Sequence, residues 1–207
     1  MNTYPIPRLV IVSPCYNEEA ILAYSANELT LLLERLIAAN KILPKSHILY
    51  VNDGSRDRTW EMIEALHQEN PFIDGLCLAG NVGHQSAIMA GMMVAKEEAD
   101  VVITIDADLQ DDLVAIEEMI DRYMEGYDIV YGVKKSRRAD SFLKRTSAMA
   151  FYRLQESMGI RAIYNHADFR LLSKPALEAL SKYEERNLYL RGIIPQLGFA
   201  STQVDDV

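Results

Sequence analysis

Long apolar runs are missing from these 207 residues, and so are a cysteine framework and any excess of positive charge. No stretch is long and apolar enough to span a bilayer. No signal peptide is evident, since Pro5, Pro7 and Arg8 interrupt the start and Leu9-Val10-Ile11-Val12 makes only a short strand. These absences predict a soluble chain. The two cysteines, Cys15 and Cys77, each sit in an apolar, strand-like run. Their spacing fits neither a zinc site nor a disulfide framework, so both are expected as buried free thiols in a reducing, cytoplasmic compartment. Lys and Arg total 21 against 30 Asp and Glu, a net charge of −9. Such a surface repels polyanions and argues against nucleic-acid binding, while leaving room for a small anionic substrate held by a local basic patch or a metal. There is no internal repeat, low-complexity tract or linker.

What is present is the composition of an ordinary globular domain, 49% hydrophobic and 25% charged, with length for one domain over 1–207. Apolar runs alternate with amphipathic stretches. Strands are expected at Leu9–Ser13, Ile48–Asn52, Ile73–Leu78, Val101–Ile105 and Asp128–Tyr131. Helices are expected at Glu18–Asn40, Asp57–Glu69 (with Asp57 as a candidate N-cap), Ser86–Glu98 and Leu113–Met124. This alternation predicts an α/β fold, a mostly parallel central sheet with helices on both faces. Beyond Tyr131 the pattern changes. Lys134, Lys135, Arg137, Arg138, Lys144 and Arg145 place six cations in twelve positions. An amphipathic stretch at Phe142–Met158, a strand-like Asp168–Leu172, a helical stretch around Asn187–Leu197 and a strand at Phe199–Val204 follow.

Ligands of parallel sheets bind beyond the carboxyl ends of the strands, and three polar clusters fall there: Pro14–Glu19, Asn52–Ser55 and Asp106–Asp112. Asp106 and Asp108 are the sharpest signal. On an extended chain alternate residues share a side, so both carboxylates can meet one ligand, and two together favour a hard divalent cation with oxygen ligands. The competing reading is a pair of aspartates capping the next helix. Asp53 could accept hydrogen bonds from a base or ribose, Gly54 allows a tight turn, and Ser55 could cap a helix instead of serving a ligand. Asn81-Val82-Gly83-His84-Gln85 opens a helix whose free N–H groups attract phosphate, with His84 placed to add a donor or charge.

In order along the chain, Ser13-Pro14-Cys15-Tyr16-Asn17-Glu18-Glu19, Asn52-Asp53-Gly54-Ser55, Asn81-Val82-Gly83-His84-Gln85, Ile105-Asp106-Ala107-Asp108-Leu109-Gln110 and Ala167-Asp168-Phe169-Arg170-Leu171 resemble the inverting family-2 glycosyltransferases with the GT-A (nucleotide-diphospho-sugar transferase) fold. The branch they resemble is that of polyprenyl-phosphate glycosyltransferases, including dolichyl-phosphate mannose synthases and bactoprenol glucosyltransferases. The resemblance implies donor binding by Pro14, Tyr16, Glu18, Asp53, Ser55, His84, Gln85, Asp106 and Arg191. It implies Mg²⁺ or Mn²⁺ on Asp108 with help from Gln110. It makes Asp168 the general base, with Asp106 close to the reacting sugar. It implies a nucleotide diphosphate sugar as donor, with UDP favoured, and a polyprenyl phosphate as acceptor. The charge pattern itself leaves two readings of the basic run: a solvated face, or a segment in which Arg137, Arg138 and Lys144 bind that acceptor's phosphate while the remaining basic side chains hold the domain on the cytoplasmic face of a membrane. Bactoprenol members run on to a basic motif and two membrane helices, so the natural protein is expected to continue past Val207. Three rivals stand beside this reading. They are a soluble family-2 enzyme acting on a sugar hydroxyl in cell-surface polysaccharide synthesis, a nucleotidyltransferase, and a non-catalytic nucleotide-binding protein. The second lacks a Gly-rich, Lys-bearing loop after the first strand.

Overall fold

Among the described residues seven short segments pair into one sheet, the inner ones with side chains alternating between two apolar layers. The computed structural model describes residues 4–134, 166–183 and 189–206. Its strands are β1 (Leu9–Cys15), β2 (His47–Asn52), β3 (Ile73–Cys77), β4 (Val101–Thr104), β5 (Ile129–Lys134), β6 (His166–Ser173) and β7 (Ser201–Asp206), in spatial order β3-β2-β1-β4-β6-β5-β7. Six run the same way. Only β6 is antiparallel, to both β4 and β5, so the sheet is mostly parallel as expected.

The helices are α1 (Leu22–Ala38), α2 (Thr59–Glu69), α3 (His84–Ala95), α4 (Leu113–Met124), α5 (Lys174–Leu180) and α6 (Leu190–Ile193), the last continued by a 3₁₀ turn at Ile194–Leu197. They cover both faces. Leu9 and Ile11 of β1, Ile48 and Tyr50 of β2, and Ile103 of β4 pack with α1, α2 and α4. Val10, Val12, Leu49, Val51 and Val102 point the other way, onto α3, α5 and α6. Continuous apolar strands with period-2 partition are what a sheet buried on both sides requires.

α1 buries Leu29, Leu32, Leu33 and Leu36 at helical spacing. α4 starts where the Asp112 carboxylate accepts the Val114 N–H at 2.9 Å, an N-cap. α5 has no counterpart among the elements expected from sequence. Ser173 caps it, and Pro175 lies in its first turn, a start signal that its brevity hid. Arg58 rather than Asp57 occupies the N-cap position of α2, although the Asp57 carboxylate does accept the Thr59 N–H at 3.0 Å. Cys77 is exposed, contrary to expectation, whereas Cys15 is buried; both are free. The reason is position: β3 is an edge strand with alternating burial. The stretch Phe142–Met158 lies outside the described residues. Among the described residues no helix is long and apolar enough to cross a membrane.

The chain leaves β3 and crosses β1 to reach β4. That reversal of strand order lies between β1 and β4, the place where open α/β sheets hold ligands.

Candidate active site

A cleft of about 400 Å³ opens at this rim, lined by Pro14, Cys15, Tyr16, Glu18, Asp53, Asn81, Gly83, His84, Ala87, Asp106, Ala107 and Asp108. It brings the three polar clusters and the start of α3 into one place.

The loop after β1 is shaped by the start of α2. Asn17 adopts φ 58°; its N–H donates to Ser55 Oγ at 3.0 Å, and its side-chain carbonyl accepts the Arg56 N–H at 2.8 Å. The Glu18 N–H donates to Thr59 Oγ1 at 2.8 Å, and Glu19 accepts from the Arg58 N–H at 3.0 Å. These bonds set Tyr16, 42% exposed, and Glu18 at the cleft. Ser55 therefore braces the loop; it is not among the cleft residues and does not cap α2.

Asp53, 3% exposed, has a local task as well. One carboxylate oxygen accepts the Val82 N–H at 2.7 Å and the other the Gly83 N–H at 3.0 Å. It pins the turn that launches α3, leaving only remaining lone pairs for a ligand. Gly54 makes this close approach possible. It has φ 66°, and a Cβ there would stand 2.5 Å from the Asn81 nitrogen and 2.6 Å from the Gly80 carbonyl carbon. Gly54→Ala is accordingly expected to cost about 2 kcal/mol in stability, through positive-φ strain and overpacking, and to weaken the binding of any ligand that the cleft takes. Thermal denaturation and calorimetry check it; an unchanged melting temperature would refute the packing argument.

Asp106 and Asp108 do line one cleft, but not as alternate residues of a strand. β4 ends at Thr104, and the pair belongs to the following turn, with Ala107 buried between them and Leu109 at φ 51°. Burial raises the Asp106 carboxyl above its ordinary range, against His84, with Asp108 and Asp168 adding to the rise. Glu18 is raised too, by burial first and then by Asp108 and Asp106. Three carboxylates that disfavour one another's charge suit a hard divalent cation. Among the described residues no three His, Cys, Asp or Glu side chains are grouped so as to hold a metal ion by themselves. Gln110 is exposed and outside the cleft, meeting Asp108 through its backbone N–H at 3.3 Å.

Asp168 reaches this rim because β6 is antiparallel. Thr104 pairs with Arg170, so the chain running on from Thr104 and the chain running back from Arg170 bring Asp106 and Asp168 side by side. Asp168 is 7% exposed and crowded with donors. Arg170 lies 2.5 Å away, Gln85 Nε2 donates at 2.7 Å, and His84 Nε2 and an Arg191 nitrogen both lie at 3.3 Å. Thr104 Oγ1 donates to its backbone carbonyl. Burial pushes its carboxyl up, but His84, Arg170 and Arg191 outweigh that and hold it well below the ordinary carboxylate range. The hydrogen bond to Asp168 in turn raises the His84 imidazole, with Asp106, 3.5 Å away, adding to it. Gln85 and Arg191 thus gather on Asp168 rather than on the cleft wall. Arg170, 1% exposed, has no role in the sequence reading; two positions from Asp168 on a strand, it shares that residue's face, and this spacing could have revealed it. Arg137, Arg138 and Lys144 lie outside the described residues.

Residues 10–181 match the Glycosyl transferase family 2 pattern. The chain is 51% identical over 198 residues to the uncharacterised glycosyltransferase YkoT of Bacillus subtilis, covering 96% of this chain and 59% of that protein. It is 36% identical over 161 residues to a bactoprenol glucosyl transferase of Shigella phage SfV, 77% of this chain and 52% of the relative. The chain therefore spans little more than half the length of these relatives. Among solved structures it resembles a mannosyltransferase from Pyrobaculum calidifontis in complex with GDP-Man and Mn²⁺, at TM-score 0.65 and 17% identity, covering 100% of this chain and 56% of that one. Staphylococcus aureus TarS with UDP-GlcNAc is similar at TM-score 0.57 and 15% identity, over 97% and 59% of the two chains. These likenesses identify the GT-A fold.

Proposed function

This chain belongs to glycosyl transferase family 2; from that premise we propose that it is a glycosyltransferase that transfers a hexose with inversion from a nucleotide diphosphate sugar, a UDP-sugar being favoured, to a polyprenyl phosphate. The observation that carries the acceptor class is the state of Asp168. A carboxylate bound by Arg170, Arg191, His84 and Gln85 is a weak proton acceptor, since any proton it takes must compete with those partners. A sugar hydroxyl needs a base in order to attack. A phosphate oxygen arrives already ionised at neutral pH, and an enzyme whose central carboxylate cannot easily be protonated suits that acceptor.

In this reading Tyr16, Glu18 and Asp53 flank the nucleotide, and the start of α3 faces the diphosphate. Asp108, with Asp106 beside it, would hold Mg²⁺ or Mn²⁺, which supplies positive charge to the departing diphosphate. A phosphate oxygen of the acceptor attacks the anomeric carbon from the face opposite the diphosphate. The new C–O bond forms as the bond to the nucleotide diphosphate breaks, and no proton need be moved. Arg191, 45% exposed, can turn from Asp168 toward a phosphate, while buried Arg170 stays. The similarity to a bactoprenol glucosyl transferase supports the same acceptor and a working place at the cytoplasmic membrane face.

The direct test incubates the full-length protein with UDP-glucose, Mn²⁺ and either polyprenyl phosphate or the free polyprenol. Glycolipid formed only from the phosphate is the expected result. Transfer to the alcohol, or to a sugar hydroxyl alone, would replace this reading with the hydroxyl-acceptor one. The basic segment has its own check. At about 1 kcal/mol per Lys or Arg near an anionic surface, this domain should bind anionic liposomes at low salt and release them as salt screens the attraction. Arg137→Ala with Arg138→Ala should weaken that binding without touching nucleotide-sugar affinity. Indifference of the wild type to anionic liposomes would reduce the segment to a solvated face.

A further inference from the structure

The loop from Asp106 to Asp112 holds four aspartates in seven residues, and their mutual repulsion favours spreading it. Its Leu109 is at φ 51°, a conformation that persists in a non-glycine residue only where the surroundings impose it. His84 faces its first aspartate, Asp106. The far end is held by residues outside the cleft. Lys134, the last residue of β5, places Nζ 3.1 Å from Asp111 Oδ1, whose side chain is 5% exposed. Asp206, beside Lys134 in the β5–β7 ladder, is 1% exposed. Its Oδ1 accepts the Asp112 N–H at 2.7 Å, and its Oδ2 has no hydrogen-bond partner among the described residues. Lys134 is thus the cation between two buried carboxylates, and it ties β5 and β7 to the loop. Its place at the head of the basic run had suggested a membrane or acceptor contact instead.

We propose that Lys134 and Asp206 are positioning residues for metal and donor: by clamping Asp111 and Asp112 they hold the loop in the shape that turns Asp106 and Asp108 into the cleft. This rests on the metal-dependent transfer proposed above. The clamp touches neither sugar nor acceptor, so its loss should appear as a demand for more metal. Partners behind metal ligands typically change metal affinity about 10–100-fold when removed.

The experiment uses the full-length protein and the variants Lys134→Met, Lys134→Arg and Asp206→Asn. Two quantities are followed: the Mn²⁺ concentration giving half-maximal UDP binding by calorimetry, and amide hydrogen exchange in residues 105–113. Lys134→Met and Asp206→Asn should raise the Mn²⁺ requirement about tenfold and speed exchange in the loop. Lys134→Arg should restore both. An unchanged Mn²⁺ requirement in folded Lys134→Met, or Lys134→Arg as impaired as Lys134→Met, overturns the clamp while leaving the transfer reading intact. If Lys134→Met does not fold, Asp206→Asn decides on the same criteria. A wild type that binds UDP equally well without Mn²⁺ overturns the metal-dependent reading, and the clamp falls with it.

Discussion

Asp168→Asn in the full-length enzyme is expected to lower kcat by about 100- to 1000-fold, the scale of losing one organising electrostatic group at a reaction centre, and to lower stability as well. The stability loss is what separates this account from simple removal of a base. Arg170 is 1% exposed and lies 2.5 Å from the Asp168 carboxylate. Neutralising the acid removes the carboxylate charge facing that guanidinium, and breaking a buried pair from one side costs about 3–5 kcal/mol. In a chain of this size that is roughly 6–20 °C in Tm. A true base removed by an isosteric amide would cost rate and little else. Asp168→Asn combined with Arg170→Met should recover part of the stability, since replacing both charges removes the imbalance of the half-broken pair, but none of the rate. A rate loss with unchanged Tm would restore Asp168 to the role of plain base. The acid limb of stability gives a second readout. The folded-state pKa of Asp168 lies below its unfolded value, so its contribution is fully present above about pH 4 and is lost as the pH falls toward the folded value. Asp168→Asn should remove this component, leaving a shallower acid-denaturation curve.

Asp108→Asn should abolish Mn²⁺-dependent binding of the nucleotide sugar, a loss of at least about 100-fold in affinity, or roughly 3 kcal/mol, while leaving the ligand-free protein as stable as before or more so. The two halves have one cause. Asp108 is exposed and among the described residues its carboxylate accepts only a 3.3 Å bond from the Gln110 N–H, so little of the described fold depends on it. Its charge pushes up the pKa of Glu18 and Asp106, and removing it eases a repulsion that only a cation would otherwise offset. Calorimetry with a UDP-sugar, with and without Mn²⁺, tests the first half, and melting of the ligand-free variant the second. Donor affinity that stays equal and metal-dependent in this variant would remove Asp108 from the metal site.

Much of this fold was legible in the chain because its strands and longer helices advertise themselves. The runs at Leu9, Ile48, Ile73 and Val101 became β1 to β4, and Leu113–Met124 coincides with α4. Boundaries slipped by a few residues where polar turns meet apolar strands, as at Thr104, where β4 stops short of Ile105. What could not be read was partnership. Arg170 has no assigned role in the sequence, and only the fold shows it buried against Asp168 on β6. Asp53 looks like a ligand group until Gly54 lets the Asn81–Gly83 turn come close enough to take both its oxygens. Lys134 counted as one cation in a basic run, yet its salt bridge is to Asp111, more than twenty residues earlier. Each outcome depends on contacts between segments far apart in sequence, which local periodicity does not record. The rim of polar strand ends was legible, because a parallel sheet puts every carboxyl end on one side.

The reversed strand has a consequence for how this protein is assembled. β6 arrives late in the chain yet lies between β4 and β5, so β5 has no neighbour on its β4 side until β6 inserts. Asp106 and Asp168 are brought together by that pairing, between segments more than sixty residues apart. Long-range pairing of this kind is slow to form. In the finished sheet β6 keeps Asp168 and Arg170 in register with Thr104. Among the described residues, the one reversed strand is thus what carries a carboxylate from late in the sequence to the rim built by the early strands.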